Sequence, residues 1–278
     1  MKHIPKLSKN NLVKGLLKIY WKTHLLCEAC QQGKYMKTSF KSKDKFSTSR
    51  PLELLHMDLF GQTRKLSLGG KKYDFVIVDD HSRYTWVYFL AHKQDSFKFF
   101  EIFCKRIQNE KGFCISSIKS DHETKFENAK FRSFCEKNGI FHNFSSLKIP
   151  QQNGVVERKN RTMQEMARTM LCENSLPKHF LVEAVNTTCY VQNRILIIPF
   201  IKKTPYELWE GRRPNISYFH PFGCECFILN TKDQLGMFDS KTDKGIFLGY
   251  SGTSKAYKIL NSRTLVVEEF IHVKFYNI

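Results

Sequence analysis

The sequence predicts an α/β protein whose core alternates strands with helices and is followed by a small all-β module. Three observations support this fold class. Residues 51–144 alternate short apolar runs with helical patterns in the order β-β-β-α-β-α-β. Two longer amphipathic helical patterns follow, up to residue 200. Residues 204–278 begin with a turn-rich stretch, TPYELWEGRRPN, and continue as short β-like runs separated by glycines and polar turns.

Composition favours a folded, strongly basic protein. The chain has 278 residues, of which 41% are hydrophobic and 14% aromatic, enough for a substantial core in about two units. The formal net charge of +19 favours nucleic acid or another anionic surface as the partner. The alternatives are that the charge serves solubility or marks a basic tail. Residues 1–50 carry twelve Lys or Arg against two acids.

Cysteine usage and hydropathy predict a protein that works inside the cell. Nine cysteines form an odd set with no regular spacing. The sequence has no signal-peptide pattern and no apolar run of membrane-spanning length. We therefore expect reduced cysteines and no membrane partner.

Residues 1–50 predict a small module followed by a basic linker. Cys27 and Cys30 are separated by two residues, so one tight turn could present both thiolates to a tetrahedral zinc ion. His3 and His24 are the only imidazoles nearby. The alternative is two free thiols in a basic loop.

The core elements are predicted in chain order from residue 51. The second predicted strand, YDFVIVDD, is an apolar run of strand length, typical of a strand buried on both faces. The helix after Asp95 carries phenylalanines at helical spacing. Gly139 suits the end of the second helix. The predicted elements are strands at Leu52–Asp58, Tyr73–Asp80 and Thr85–Ala91, a helix from Ser96, a strand at Ile115–Ser120, a helix at Asn128–Asn138 and a strand at Ile140–Phe144.

The helix predicted after Asn153-Gly154 has two distinct faces. One is an apolar stripe that we expect to face the core, formed by Met163, Met166, Ala167, Met170 and Leu171. The other carries Glu157, Arg161, Gln164 and Arg168. A carboxylate flanked by arginines suits a metal ligand beside phosphate contacts, whereas the alternative is an ordinary solvated ion-pair face. The residues predicted to contact DNA are Arg158, Lys159, Arg161 and Arg168.

Three carboxylates follow strand ends or open a helix. Asp58 ends the first predicted strand, Asp121 follows the fourth, and Glu157 opens the long helix. Acids at such positions lie at a sheet rim, where active sites of α/β folds gather. We expect the three to converge and hold Mg²⁺ or Mn²⁺, hard cations that prefer oxygen ligands, for phosphodiester cleavage or transfer on DNA. Asp79 and Asp80 are interpreted as structural, because alternation lets only one face the site.

Six stretches in this order resemble motifs of the integrases of copia-type retrotransposons, within the retroviral integrase superfamily. They are LLHMDLFG, VDDHSRYTWVYFL, PQQNGVVERKNRT, PYELWEGRRP, HPFGCECFILN and GIFLGYS. The resemblance implies a ribonuclease-H-like core with a five-stranded mixed sheet flanked by helices, followed by a small β-barrel. It also implies that Asp58, Asp121 and Glu157 are the catalytic carboxylates.

The resemblance implies DNA integration, by metal-dependent 3′-end processing and strand transfer of retrotransposon DNA into target DNA. The expected partners are the two kinds of DNA and further copies of this chain, acting in the nucleus and otherwise in the cytoplasm. The expected organisation is a truncated zinc-binding-like module and basic linker at 1–50, the catalytic core at 51–200 and the barrel at 201–278, within a Pol polyprotein.

Two departures from the family pattern leave other functions open. His122 and Glu123 stand where the family usually has Asn-Gly, so an extra carboxylate lies beside the predicted metals. The family's histidine pair for zinc would precede Met1, so we do not expect Cys27 and Cys30 to bind zinc as in the family. The first alternative is a catalytically inactive nucleic-acid-binding remnant of an integrase. The second is a ribonuclease-H-type nuclease on the same fold.

Overall fold

Two five-stranded β-sheets organise the protein in the computed structural model. The structure describes residues 7, 10, 12–15, 48–61, 69–121, 126–144, 153–230 and 236–276. The first sheet lies in the predicted α/β core and the second in the predicted all-β module.

The core sheet is mixed, as the resemblance implied. Its strands are β1 (Leu54–Phe60), β2 (Tyr73–Asp79), β3 (Thr85–Leu90), β4 (Ser117–Ser120) and β5 (Phe141–Phe144). They lie in the order β3-β2-β1-β4-β5. The first three strands form an antiparallel meander, while β4 is parallel to β1 and β5 is parallel to β4. Each predicted core strand is present, with ends shifted by at most two residues.

Helices cover both faces of this sheet. They are α1 (Ser96–Lys111), α2 (Ala129–Lys137), α3 (Gly154–Glu173) and α4 (Leu181–Ile195). Phe100 of α1 and Phe131 of α2 pack with Met57 in one apolar cluster on one face. On the other face, Met163 of α3 packs with Val76 in a second cluster. The alternating strand pattern and the helical stripes therefore meet as the sequence predicts.

A short helix, α5 (Pro205–Glu210), occupies a stretch that the sequence predicted to be turn-rich. Thr204 caps it by accepting a 3.1 Å hydrogen bond from the Glu207 backbone N–H, and Pro205 takes the first turn. Gly211 ends it in the left-handed conformation with φ 70°. The turn-rich prediction was therefore wrong for these six residues.

The second sheet curls into a barrel. Its strands are β6 (Glu225–Leu229), β7 (Thr242–Tyr250), β8 (Tyr257–Asn261), β9 (Val267–Phe270) and β10 (Val273–Phe275), in the order β10-β6-β7-β8-β9. The edge strands of a flat five-stranded sheet lie about 19 Å apart. Only two residues join β9 to β10, and three Cα steps reach at most about 11 Å. The sheet must therefore bend until its edges approach each other.

The barrel packs on the last two helices of the core. Thr187 of α4 donates a 2.8 Å hydrogen bond to the Leu248 carbonyl, and Asn174 after α3 donates one of 2.6 Å to the Phe222 carbonyl. Gly249, with φ 144°, leaves no space for a side chain, because a Cβ there would overlap the Thr187 hydroxyl. This close backbone approach seats β7 against α4.

Candidate active site

Asp58 and Asp121 lie at the same level of two adjacent parallel strands. The register of β1 and β4 pairs Leu54 with Ser117 and His56 with Lys119. Continued by two residues, it places Asp58 beside Asp121, which directly follows β4. Neighbouring strands lie about 4.8 Å apart, so these two acids start from the same rim of the sheet. The parallel pairing brings together residues that are distant along the chain.

Asp58 lies on the sheet face that α3 and α4 cover. Met57 and Leu59 belong to the apolar cluster on the opposite face, and successive residues of a strand alternate between faces. Asp58 is only 8% exposed. A carboxylate held this far from water is costly unless a positive charge or hydrogen-bond donors compensate it.

The start of α3 is fixed next to Asp58. Asn153, at the N-cap position of this helix, donates a 3.3 Å hydrogen bond from its side-chain amide to the carbonyl of Met57. Asn153 is 2% exposed, so water does not compete for this bond. Glu157 follows one helical turn later, in the first turn of α3. The sequence suggested a turn at this asparagine but not its contact with β1.

Glu157 and Asp121 are close enough to interact electrostatically. Burial raises the pKa of the Glu157 carboxyl, and the guanidinium groups of Arg161 and Arg158 oppose that shift. The negative charge of Asp121 raises this pKa further. Repulsion between two carboxylates at one rim is the condition that a bound cation relieves.

The three predicted acids therefore share one rim and one side of the sheet without forming a closed coordination shell. Among the residues that the structure describes, no group of three or more His, Cys, Asp or Glu side chains is placed to hold a metal ion. Carboxylate oxygens are nevertheless the donors that Mg²⁺ and Mn²⁺ prefer. Asp58, Asp121 and Glu157 fit such an ion by their chemistry.

Asp79 and Asp80 make structural contacts at the other end of β1, in agreement with the sequence interpretation. Asp79 accepts hydrogen bonds from the backbone N–H groups of Leu52 (2.9 Å) and Ser82 (2.7 Å). Asp80 contacts His56 Nε2 at 2.9 Å and Arg83 Nη1 at 3.0 Å. These bonds hold the β2–β3 turn against the start of β1.

Three of the four residues predicted to contact DNA are exposed on α3: Arg158, Arg161 and Arg168. Lys159 differs, because it is 9% exposed and its buried Nζ has no hydrogen-bond partner among the described residues. Burial lowers the pKa of Lys159 to about 8. This amine does not reach the surface where a DNA backbone would lie, so the prediction for Lys159 needs correction.

Asp74 is a buried acid on the same sheet face as Asp58, and sequence reasoning missed it. It lies on β2, where Val76 pairs with Asp58 and Asp74 pairs with Phe60. Asp74 is therefore the diagonal neighbour of Asp58 across the two strands, with its backbone about 7–8 Å away and on the same face of the sheet. Desolvation raises the pKa of Asp74 to about 6. An acid at an inward position of an otherwise apolar strand was the available signal.

Several predicted residues lie outside the described part of the chain. They are Cys27 and Cys30, predicted for zinc, and His122 and Glu123, which follow Asp121. Within the described residues, no helix combines the length and the apolar character needed to cross a membrane.

Two domain models match the chain at the positions of the two sheets. The integrase core domain matches residues 48–148, and the retroviral polymerase SH3-like domain matches residues 224–277. The Retrovirus-related Pol polyprotein from transposon TNT 1-94 of Nicotiana tabacum is 34% identical over 251 residues. This alignment covers 87% of the chain and 19% of the relative.

The chain belongs to the retrotransposon integrase family. The Pol polyprotein from transposon RE2 of Arabidopsis thaliana is also similar to this integrase, with 30% identity over 90% of the chain and 17% of the relative. The integrase thus spans less than a fifth of the length of these two relatives. The resemblance seen in the sequence motifs is confirmed.

A solved retroviral structure shares the fold of this integrase. It is described as the cryoEM structure of a simian T-cell lymphotropic virus intasome in complex with PP2A regulatory subunit B56 gamma. The match has a TM-score of 0.50 and 15% sequence identity, and covers 90% of this chain and 84% of that chain. At this identity the likeness concerns the fold alone.

Proposed function

We propose that this integrase joins retrotransposon DNA to target DNA, with Asp58, Asp121 and Glu157 as the carboxylates that hold Mg²⁺ or Mn²⁺. The observation that carries the proposal is the parallel register, which sets Asp58 and Asp121 side by side at the rim where α3 brings Glu157. When bound there, a divalent cation supplies Lewis-acid activation of a phosphodiester.

The chain's own residues hold and orient the reacting groups. The three carboxylates would balance the positive charge of a cation. Asn153 keeps the first turn of α3 next to β1. Arg158 and Arg161 are exposed on that turn and the next, where they would bind phosphates of the DNA backbone. Because such contacts are to phosphates, we expect DNA affinity to fall steeply with salt and to depend little on base sequence.

Assembly and location follow from the proposed reaction. Joining two DNA ends to one target requires more than one active site, so we propose that several copies of the chain act together. We further propose that the target is chromosomal DNA, so that the reaction takes place in the nucleus.

Strand transfer by the purified 278-residue protein tests this function. Labelled duplex ends are incubated with plasmid in Mg²⁺ or in Mn²⁺. We expect Asp58→Asn, Asp121→Asn and Glu157→Gln each to lower the rate by about a thousand-fold, since losing a bound metal removes several kcal/mol of transition-state stabilisation. Glu165→Gln, about two turns further along α3, is the matched control and should retain activity.

The outcomes separate the three functions that the sequence leaves open. Equal strand transfer by the wild type and the three variants would refute the assignment of these acids. A wild type that binds DNA with the expected salt dependence but transfers no strand is the inactive remnant. Faster cleavage of an RNA–DNA hybrid than of duplex DNA would favour the ribonuclease-H-type nuclease.

A further inference from the structure

A groove of about 1020 Å³ lies where α3, α4 and the barrel meet. It is on the α3 and α4 side of the core, at the C-terminal end of α3, and so is separate from the rim that carries the three acids. Its walls are mainly apolar and aromatic. They include Met170, Val191, Phe219, Phe222, Tyr250 and Tyr276.

Gly15 lines one end of this groove, and residues 12–14 hold it in place. The Lys14 backbone N–H donates to the Pro214 carbonyl at 3.0 Å, and the Ile216 N–H donates to the Lys14 carbonyl at 3.0 Å. Leu12, 6% exposed, packs with Ile197. Gly15 has a φ of 83° and lies against Ser217, which leaves no space for a side chain at position 15. These contacts hold the end wall in a defined place.

The charged side chains that the structure describes in this groove are acidic, whereas the chain as a whole is basic. The protein has 45 Lys and Arg against 26 Asp and Glu, yet among the described residues the ionised ones that line this groove are Glu173 and Glu225. Both glutamates are exposed. His220 also lines it, and burial lowers the pKa of this imidazole, which keeps it neutral at pH 7.

We propose that this groove binds a peptide segment of a partner protein in which an apolar side chain is flanked by lysine or arginine. The aromatic walls match the apolar side chain, and the two glutamates match the basic residues through charge-assisted hydrogen bonds. The volume lies at the upper end of the ~300–1,000 Å³ typical of small-molecule clefts, so a peptide fits better than a small ligand. This binding goes beyond DNA integration and does not depend on the three acids.

Selection from a random peptide display library tests the proposal, with the full 278-residue chain as bait. We expect the enriched peptides to share one apolar position next to Lys or Arg. The strongest is then measured by fluorescence anisotropy against Glu173→Lys/Glu225→Lys and against the control Glu110→Lys/Glu136→Lys. The control reverses two exposed acids on α1 and α2, on the opposite side of the core sheet. We expect about a tenfold loss of affinity for the groove variant and less than about twofold for the control.

Each other outcome overturns the proposal. These are failure to enrich any peptide, enriched peptides without Lys or Arg, and equal binding by the groove variant. Sedimentation distinguishes another occupant: if the wild type forms a dimer that Glu173→Lys/Glu225→Lys abolishes, the groove belongs to a second copy and not to a peptide. Circular dichroism confirms that both double variants remain folded.

Discussion

Replacing Asp74 by asparagine tests the electrostatics of the sheet face that carries Asp58. Asp74 is 9% exposed, and desolvation raises its pKa from 3.8 to about 6 in the folded protein. A raised pKa means that the folded state favours the protonated carboxyl. Its contribution to stability is therefore fully present below about pH 3.8 and is lost as the pH rises through about 6. The shift of about two pKa units corresponds to about 3 kcal/mol at pH 7.

The assay is urea unfolding of the wild type and of Asp74→Asn between pH 4 and pH 7, with a chelator present to exclude metal. Asparagine has nearly the same shape but no ionisation. We expect the stability difference between variant and wild type to increase in favour of the variant by about 2 kcal/mol across this range, because part of the change has already taken place at pH 4. Comparing the two proteins cancels the titration of other buried groups, such as Asp79 and Glu183.

Parallel stability curves would refute the reasoning. They would mean that Asp74 titrates in the folded protein as it does in the unfolded chain, and hence that this part of the sheet face is accessible to water. A difference that changes in the opposite direction would mean that a positive charge stabilises the ionised Asp74.

Three further changes give distinct results. Asn153→Ala removes the bond to Met57, so we expect a loss of about 1 kcal/mol in urea unfolding and at least about tenfold slower strand transfer; unchanged transfer would argue against its positioning role. Lys159→Met should stabilise the protein by about 3 kcal/mol at pH 7, an advantage that disappears between about pH 8 and pH 10.5, while DNA affinity in gel shifts stays the same. Gly249→Ala should cost more than about 2 kcal/mol in thermal unfolding, whereas Gly252→Ala, in open space, should not.

The sequence alone predicted most strands and helices, because their patterns follow from burial of one or both faces. The run from Tyr73 to Asp80 has four consecutive apolar residues at its centre, Phe75–Val78, and the β2 that it forms is buried on both faces. The same logic missed α5, although Thr204, Pro205 and Gly211 are the start and stop signals of a helix. Six residues are too few to show helical periodicity, so only the cap residues carried the information.

The site was less predictable than the fold. Local sequence patterns do not determine the order of strands in a sheet. The spacing of Asp58 and Asp121 along the chain therefore could not predict that they lie side by side, whereas the family resemblance could. Lys159 failed for a different reason. A lysine on an amphipathic helix is normally assigned to the solvent face. Lys159 is instead buried on α3, and its amine makes no hydrogen bond to the described residues.

The pairing of β1 with β4 has a consequence for which sequence changes this integrase can tolerate. The backbone N–H and the side-chain hydroxyl of Ser117 both donate to the Glu53 carbonyl, at 3.0 and 2.7 Å. These two hydrogen bonds fix the register of β4 against β1. Loss of a single codon within β4 would turn Asp121 toward α1 and α2, since side chains alternate at every residue. Length changes in this strand should therefore abolish the proposed strand transfer even where the protein still folds, while the hairpin tips of the barrel should accept them.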